Sequence, residues 1–252
     1  MDSFSFTVKT AASTPNANWG SVCHGVLIDT LPGEFGDILH DETVRPISQW
    51  VQAKSADTFI WHISSTDDGI SELLWEKLQP GTELYAKHLS CAWTVMDAQR
   101  KNVPVPEYMK DIYLAETAPR GVSICFQTVT THKSAGRYAA FPSVELIAGS
   151  LRNRICAVIP DLPFMDDDVM QQICDNTYIN RYELRSAAYC LEGHYVPGYL
   201  GRLELHFKGP DPLRRLSRTL FEFANYTGIG IKTALGMGAC NVEVLEERKN
   251  TK

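Results

Sequence analysis

The run Gly228-Ile-Gly-Ile-Lys-Thr-Ala-Leu-Gly-Met-Gly238 puts four glycines and one lysine into eleven residues near the C-terminus. Glycine admits positive φ and lets a ligand come close to the main chain. Successive amides freed in this way form an anion-binding concavity, and Lys232 sets a cation inside it. The ligand class that suits such a loop is a phosphodiester backbone. Two better-known phosphate motifs do not fit. A Walker loop needs glycine directly before its lysine and another five residues earlier, where Ile231 and Tyr226 stand. A dinucleotide fingerprint starting at Gly228 needs glycine where Thr233 stands, and it must open a helix. Here the run follows a helical pattern and precedes Ala239-Cys-Asn-Val-Glu-Val-Leu, which reads as a strand. A helix-ending glycine explains Gly228 and leaves the other three unexplained.

Histidine is the natural acid or base near neutral pH. The chain has seven, at 24, 40, 62, 88, 132, 194 and 206. His62, His88 and His206 fall in strand patterns, and His194 falls in a Glu-Gly-His-Tyr turn. His132, beside Lys133 in a polar loop, is better placed for ligand contact than for chemistry. Metal chemistry has little support. No CxxC occurs, and the seven cysteines are odd in number, which excludes a local zinc knuckle or a complete disulfide framework. Asp166-Asp-Asp168 resembles a magnesium cluster, but consecutive carboxylates on one helical turn diverge, and a helix N-terminus attracts acids through its dipole. We therefore expect no metal and no cofactor. Five tryptophans read as core, with Trp50 alone considered as a base-stacking surface.

A net charge of −6 sits awkwardly with a polyanionic ligand, but the charge is uneven. Residues 1–119 hold 8 Lys and Arg against 16 Asp and Glu, and residues 120–252 hold 16 against 14. Local charge density governs phosphate binding more than the total does. Lys133, Arg137, Arg152 and Arg154 form one basic group, and Arg202, Lys208, Arg214, Arg215 and Arg218 another. The arginines at 214–218 read equally well as a solvated helix face. No apolar run approaches a membrane span, and the N-terminus lacks the basic and apolar regions of a signal peptide. Free thiols then fit a cytoplasmic setting.

These residues need elements to position them, and periodicity supplies a repeated order. Phe4–Lys9 alternates as a strand; residues 18–31 read as a helix capped near Asn18; Ile47–Val51 and Thr58–Ile63 read as strands. A helix opens on Asp67 and ends by Pro80, and strands near 82–87 and 90–96 close the first half. A linker carrying Pro104, Pro106 and Pro119 follows. The second half repeats the order: strand from Val122, helix Pro142–Val158, an inserted helix Asp166–Thr177, strands Tyr182–Leu191 and Leu200–Phe207, helix Pro210–Tyr226, strand Cys240–Leu245. A doubled β-α-β-β-α-β order predicts an α+β chain of two tandem ferredoxin-like domains, 1–103 and 120–252, with a C-terminal glycine-rich loop.

The segment Tyr226-Thr-Gly-Ile-Gly-Ile-Lys-Thr-Ala-Leu-Gly-Met-Gly-Ala-Cys-Asn-Val resembles the glycine-rich loop of the CRISPR repeat-processing endoribonucleases, which are RAMP-superfamily proteins of tandem ferredoxin-like fold. The stretch from Thr130 to Arg154 is similar to their polar loop, Phe-Pro and helix ending in Ser-Leu-x-x-Arg. Ile38-Leu-His-Asp-Glu-Thr-Val-Arg-Pro-Ile-Ser is similar to their Leu-His stretch after the first helix. The three pieces occur in consistent order over nearly the whole chain.

The resemblance implies a metal-independent endoribonuclease that cleaves pre-crRNA by attack of the 2′-hydroxyl on the adjacent phosphate. Products would be a 2′,3′-cyclic phosphate and a 5′-hydroxyl. That chemistry needs a base, an acid for the leaving oxygen and a cation for the phosphorane. By its place in the pattern His40 is the catalytic residue, as general acid, and Arg45 is the phosphorane stabiliser. His24, on the first helix, is the candidate base; an alternative is a helix-face histidine making one hydrogen bond. Gly228, Gly230, Lys232, Gly236, Gly238, Lys133, Arg137 and Arg152 would bind RNA. The implied partners are CRISPR repeat RNA and effector-complex subunits. Two other readings stand beside this one: a non-catalytic RAMP subunit that holds guide RNA, and a protein that binds a small phosphorylated ligand.

Overall fold

The computed structural model describes residues 1–11, 14–33, 46–114, 117–159 and 166–246, with the side chains of 106 and 111–114 also left out. In the first half, β1 (Asp2–Thr10) leads through a 3₁₀ turn, Ala17–Trp19, into α1 (Gly20–Thr30). There follow β2 (Ile47–Ala53), β3 (Thr58–Ser65), α2 (Asp68–Lys77), β4 (Glu83–Ala86) and β5 (Cys91–Asn102). The sheet runs in the order β2-β3-β1-β5-β4, and each adjacent pair is antiparallel. With β4 set aside as an added edge strand, this is the ferredoxin-like order.

The proline-rich segment after β5 is a helix, α3 (Val105–Leu114), rather than an open linker. Pro106 falls in its first turn, where a missing N–H costs nothing, so proline starts this helix instead of breaking it. Tyr108 of α3 is buried, and its hydroxyl donates to the Thr219 carbonyl at 3.0 Å, so the helix docks on the second half.

The second half comprises β6 (Gly121–Thr130), a small hairpin of β7 (His132–Ser134) and β8 (Arg137–Ala139), and α4 (Val144–Val158). It continues with α5 (Asp167–Asp175), β9 (Thr177–Leu191), β10 (His194–Phe207), α6 (Asp211–Glu222), α7 (Ala224–Thr227) and β11 (Cys240–Leu245). Its sheet runs β11-β6-β10-β9, again all antiparallel. The chain therefore carries two tandem ferredoxin-like units in an α+β fold.

Local chemistry sets the helix starts. Ser143 caps α4 by accepting from the Leu146 amide at 3.2 Å, and Asp67 caps α2 by accepting from Ile70 at 2.8 Å. Asp166 caps α5 in the same manner, accepting from Val169 at 2.8 Å, so the aspartate run serves a helix terminus. The first helix is preceded by a cap at Asn16 rather than Asn18. Strands β9 and β10 reach well past the expected Tyr182 and Leu200, joined by a two-residue turn at Glu192 and Gly193 with φ of 50° and 82°. Each unit has its own core: Trp19, Phe59, Trp61 and Trp93 in the first, Phe126, Tyr199, Phe207 and Phe221 in the second. Residues cross over both ways, with Met1 buried in the core of the second unit. Ala234, from the glycine-rich run, is buried in the core of the first unit.

Candidate functional site

The run Gly228–Gly238 leaves α7 at Gly228, whose φ is +67°. It forms a 3₁₀ turn, Thr233–Leu235, and rejoins the sheet at β11. Gly228, Gly230, Gly236 and Gly238 all have positive φ, as their residue type suggested. What comes close to them is protein. A Cβ at Gly230 would sit 2.2 Å from the Thr131 carbonyl, and one at Gly236 would sit 2.4 Å from the Tyr189 hydroxyl and 2.8 Å from the Gly20 Cα.

The glycine amides of the run and several beside them are committed as well. Gly228 donates to the Ala224 carbonyl, Ile229 to Gly238, Ile231 to Thr131, and Gly238 to Val129. Gly230 donates to Ser150 Oγ at 2.9 Å. The four glycine amides are therefore not an open nest. The glycines let the loop pack against two neighbours at once, and what the run turns to the cleft includes the stretch Lys232–Leu235.

Those neighbours hold it by buried polar groups. On one side Arg154 of α4 donates to the carbonyls of Thr227 at 3.2 Å and Gly230 at 2.7 Å and to Thr233 Oγ1 at 2.9 Å. Burial lowers the Arg154 pKa to about 10, which leaves it a cation at neutral pH. On the other side Gln49 of β2, only 1% exposed, donates through Nε2 to the Ala234 carbonyl at 2.6 Å and to that of Gly20 at 3.3 Å. Its Oε1 accepts from the Trp61 indole at 2.7 Å. Tyr189 of β9 donates to the Leu235 carbonyl at 2.9 Å and accepts from the Gly20 amide at 3.2 Å. Gln49 and Tyr189 carried no signal in the sequence; Ser150 and Arg154 open and close the Ser-Leu-x-x-Arg pattern and could have been found from it.

Lys232 is the exception within the run. It is a non-glycine residue in the left-handed region, with φ +59° and ψ +31°. It lines a cleft of about 530 Å³ together with Lys133 of β7, Ser150, Asn153 and Arg154 of α4, and Glu145 as the acidic member. The structure thus brings Lys232 and Lys133 to one place. Arg137 is exposed on β8, paired in register with Ser134. Arg152 turns to α5, where it meets Asp167 at 2.6 Å.

The histidines separate clearly. His132 is 3% exposed, hydrogen-bonded to the Tyr199 hydroxyl at 3.1 Å, and its pKa falls to about 4 through burial and the nearby Arg154 charge. It lines the cleft as a neutral, buried ring rather than a polar-loop contact. His62 lies against Trp50, with ring centroids 4.2 Å apart, and bonds to Ser5 and Gln52; burial lowers it to about 4 as well. That contact occupies one face of the Trp50 ring. His24 is buried on α1, the helix that packs against the Thr233–Leu235 turn. His40 and Arg45 lie outside the described residues. Among the described residues no group of three or more metal-type ligands converges, and no helix is long and apolar enough to cross a membrane.

Known proteins share this fold. Residues 124–240 match the family model described as CRISPR-associated endoribonuclease Cas6. A curated relative of that name from Streptococcus thermophilus is 28% identical over 90% of this chain and 91% of its own. Another from Mycobacterium tuberculosis is 26% identical over 92% of this chain and 74% of its own. Among solved structures, a Cas6 product complex superposes with a TM-score of 0.78 at 20% identity, covering 96% of this chain and all of that one. Thermus thermophilus Cas6 gives 0.73 at 18% identity, over 96% and 98% of the two chains.

Proposed function

We propose that this chain is a CRISPR-associated endoribonuclease of the Cas6 kind, which cleaves CRISPR repeat RNA to release guide RNA; the family-model match over residues 124–240 and the full-length relatives of that name support the reading. The reaction is attack of the 2′-hydroxyl on the adjacent phosphate, leaving a 2′,3′-cyclic phosphate and a 5′-hydroxyl. Its nucleophile belongs to the substrate, so the protein supplies proton transfer and charge stabilisation. His40 protonates the leaving 5′-oxygen, Arg45 meets the phosphorane, and His24 orients or deprotonates the 2′-hydroxyl. Lys232 and Lys133, with Arg137 and Arg152 beyond them, carry the RNA backbone. The two domains are residues 1–103 and 120–252, and the setting is the cytoplasm.

One observation supports the binding half of this reading above the others. Lys232 stands in a strained left-handed conformation on a loop fastened to both units, facing a cleft that also holds Lys133. Strain of this kind in a non-glycine residue accompanies functional positions, since packing alone would be served by glycine.

The test is single-turnover cleavage of the repeat RNA, with affinity measured on the same RNA carrying one 2′-deoxy sugar upstream of the cut. His40→Ala should slow cleavage by about 10²–10⁴-fold with affinity little changed. Cleavage should persist in EDTA. A wild-type protein that binds the repeat and never cuts it would make the chain a binding subunit instead.

A further inference from the structure

Two large aromatic side chains of the second unit stand mostly in water: Phe141, just ahead of α4, and Tyr182, on β9, which contacts α4. Phe141 is 60% exposed and Tyr182 is 58% exposed, and their rings meet edge to face with centroids 6.2 Å apart at 89°. Isolated exposed aromatics are ordinary on protein surfaces. A touching pair of them, both mostly uncovered, is not the outcome that folding alone favours. An edge-to-face contact also leaves ring faces open, which is the geometry a nucleobase needs for stacking.

Their surroundings tie them to the cleft. Tyr138, 45% exposed, is the register partner of Lys133, which lines that cleft. Phe141 lies three residues further along and four before Glu145, another lining residue. Tyr182 is on β9, the outermost strand of its sheet, so one side of its backbone has no strand neighbour. Arg137 and Arg185 are exposed and near the rings in sequence, but strand alternation turns each to the opposite face from its neighbouring tyrosine, so the cations of this surface are those of the cleft, Lys133 and Lys232. The acid nearest in sequence, Glu183, is matched by an ion pair with Arg181. Exposed aromatic rings next to a basic cleft bind single-stranded nucleic acid, because every base offers a π-face and every linkage a charge.

We propose that Phe141 and Tyr182 form a stacking step on which an unpaired stretch of the repeat RNA leaves the Lys133–Lys232 cleft. This rests on the reading of the chain as a repeat-RNA nuclease and adds to it a place for the flank of the substrate. Recognition there is by shape and stacking, so it tolerates any base. A duplex, whose bases are already stacked, gains nothing from it.

The experiment compares wild type with Phe141→Ala, Tyr182→Ala and the double variant, using repeat RNA blocked by one 2′-deoxy sugar and the same RNA annealed to its complement. Each alanine should weaken binding of the single-stranded probe about tenfold. The slope of log K against log salt should stay as in wild type, because no charge is lost. Tyr182→Phe and Phe141→Tyr should bind as wild type, since the ring remains. Both rings are largely in water, so the thermal midpoint should hold within a degree or two. Wild-type affinity in the double variant overturns the proposal, as does an equal loss on the annealed probe. Those failures differ from failure of the functional reading, which would appear as wild-type protein that neither binds nor cuts the repeat.

Discussion

Lys232 offers a test in which stability and binding move in different directions. Its φ of +59° and ψ of +31° place an L-residue in the left-handed well, at a cost of about 1 kcal/mol. Lys232→Gly removes that cost and adds back roughly 0.5 kcal/mol of chain entropy in the unfolded state. The folded protein should therefore be as stable as wild type or about 0.5 kcal/mol more so. Lys232→Ala keeps both the backbone conformation and its strain, so its stability should match wild type. Both substitutions delete the same charge. For one lost phosphate contact on single-stranded RNA, the slope of log K against log salt should shrink by about 0.7. Urea unfolding reads the first quantity, and filter binding of the 2′-deoxy-blocked repeat across a salt series reads the second. An unchanged slope in both variants would show that Lys232 touches no phosphate. A glycine variant less stable than wild type by more than about 1 kcal/mol would show that the strain argument is wrong.

Gln49→Leu removes a donor to two carbonyls and the acceptor of the Trp61 indole in one step. Buried polar groups left without partners cost about 1–3 kcal/mol each, so urea unfolding should show a loss of about 3 kcal/mol, and a loss under 1 would contradict the seam described here. His132 gives a pH prediction. Its folded pKa of about 4 lies below the ordinary 6.5, so the unfolded chain takes up the proton first. Its contribution is complete above pH 6.5 and declines as pH falls toward 4, by about 2 kcal/mol between pH 7 and 5. His132→Gln should lose correspondingly less over that interval, and an equal loss would remove His132 as the cause.

Much of the architecture was legible because burial on one face writes alternation into a strand. The last strand, Cys240–Leu245, has the bounds that alternation gave it, and the repeated order predicted a sheet of the right topology in each unit. Legibility failed where that cause is absent. The early part of β9, from Tyr178 to Glu183, is exposed on both faces apart from Ile179, so no apolar alternation marks it. Helix α3 was hidden behind prolines that mark loops in most contexts and helix starts in this one.

The glycine-rich run shows the deeper limit. Residue type revealed that the backbone turns through positive φ and that something must come close; it could not reveal what. The approaching atoms belong to Thr131, Tyr189 and Gly20, which lie about 99, 47 and 216 residues from Gly230 or Gly236 in sequence. Two units that make their own cores still need a joint, and a joint between backbones admits only residues without a Cβ. The loop is thus held in place by bonds from its amides and carbonyls to β2, β6, α4 and β9. That fastening in turn is what allows a single side chain in the run to be held off its preferred conformation and presented to a cleft. A flexible glycine loop would relax Lys232 to ordinary φ and lose the placement. The same four glycines that look like a ligand-binding nest therefore act first as packing residues, and they fix the backbone from which one lysine lines the cleft.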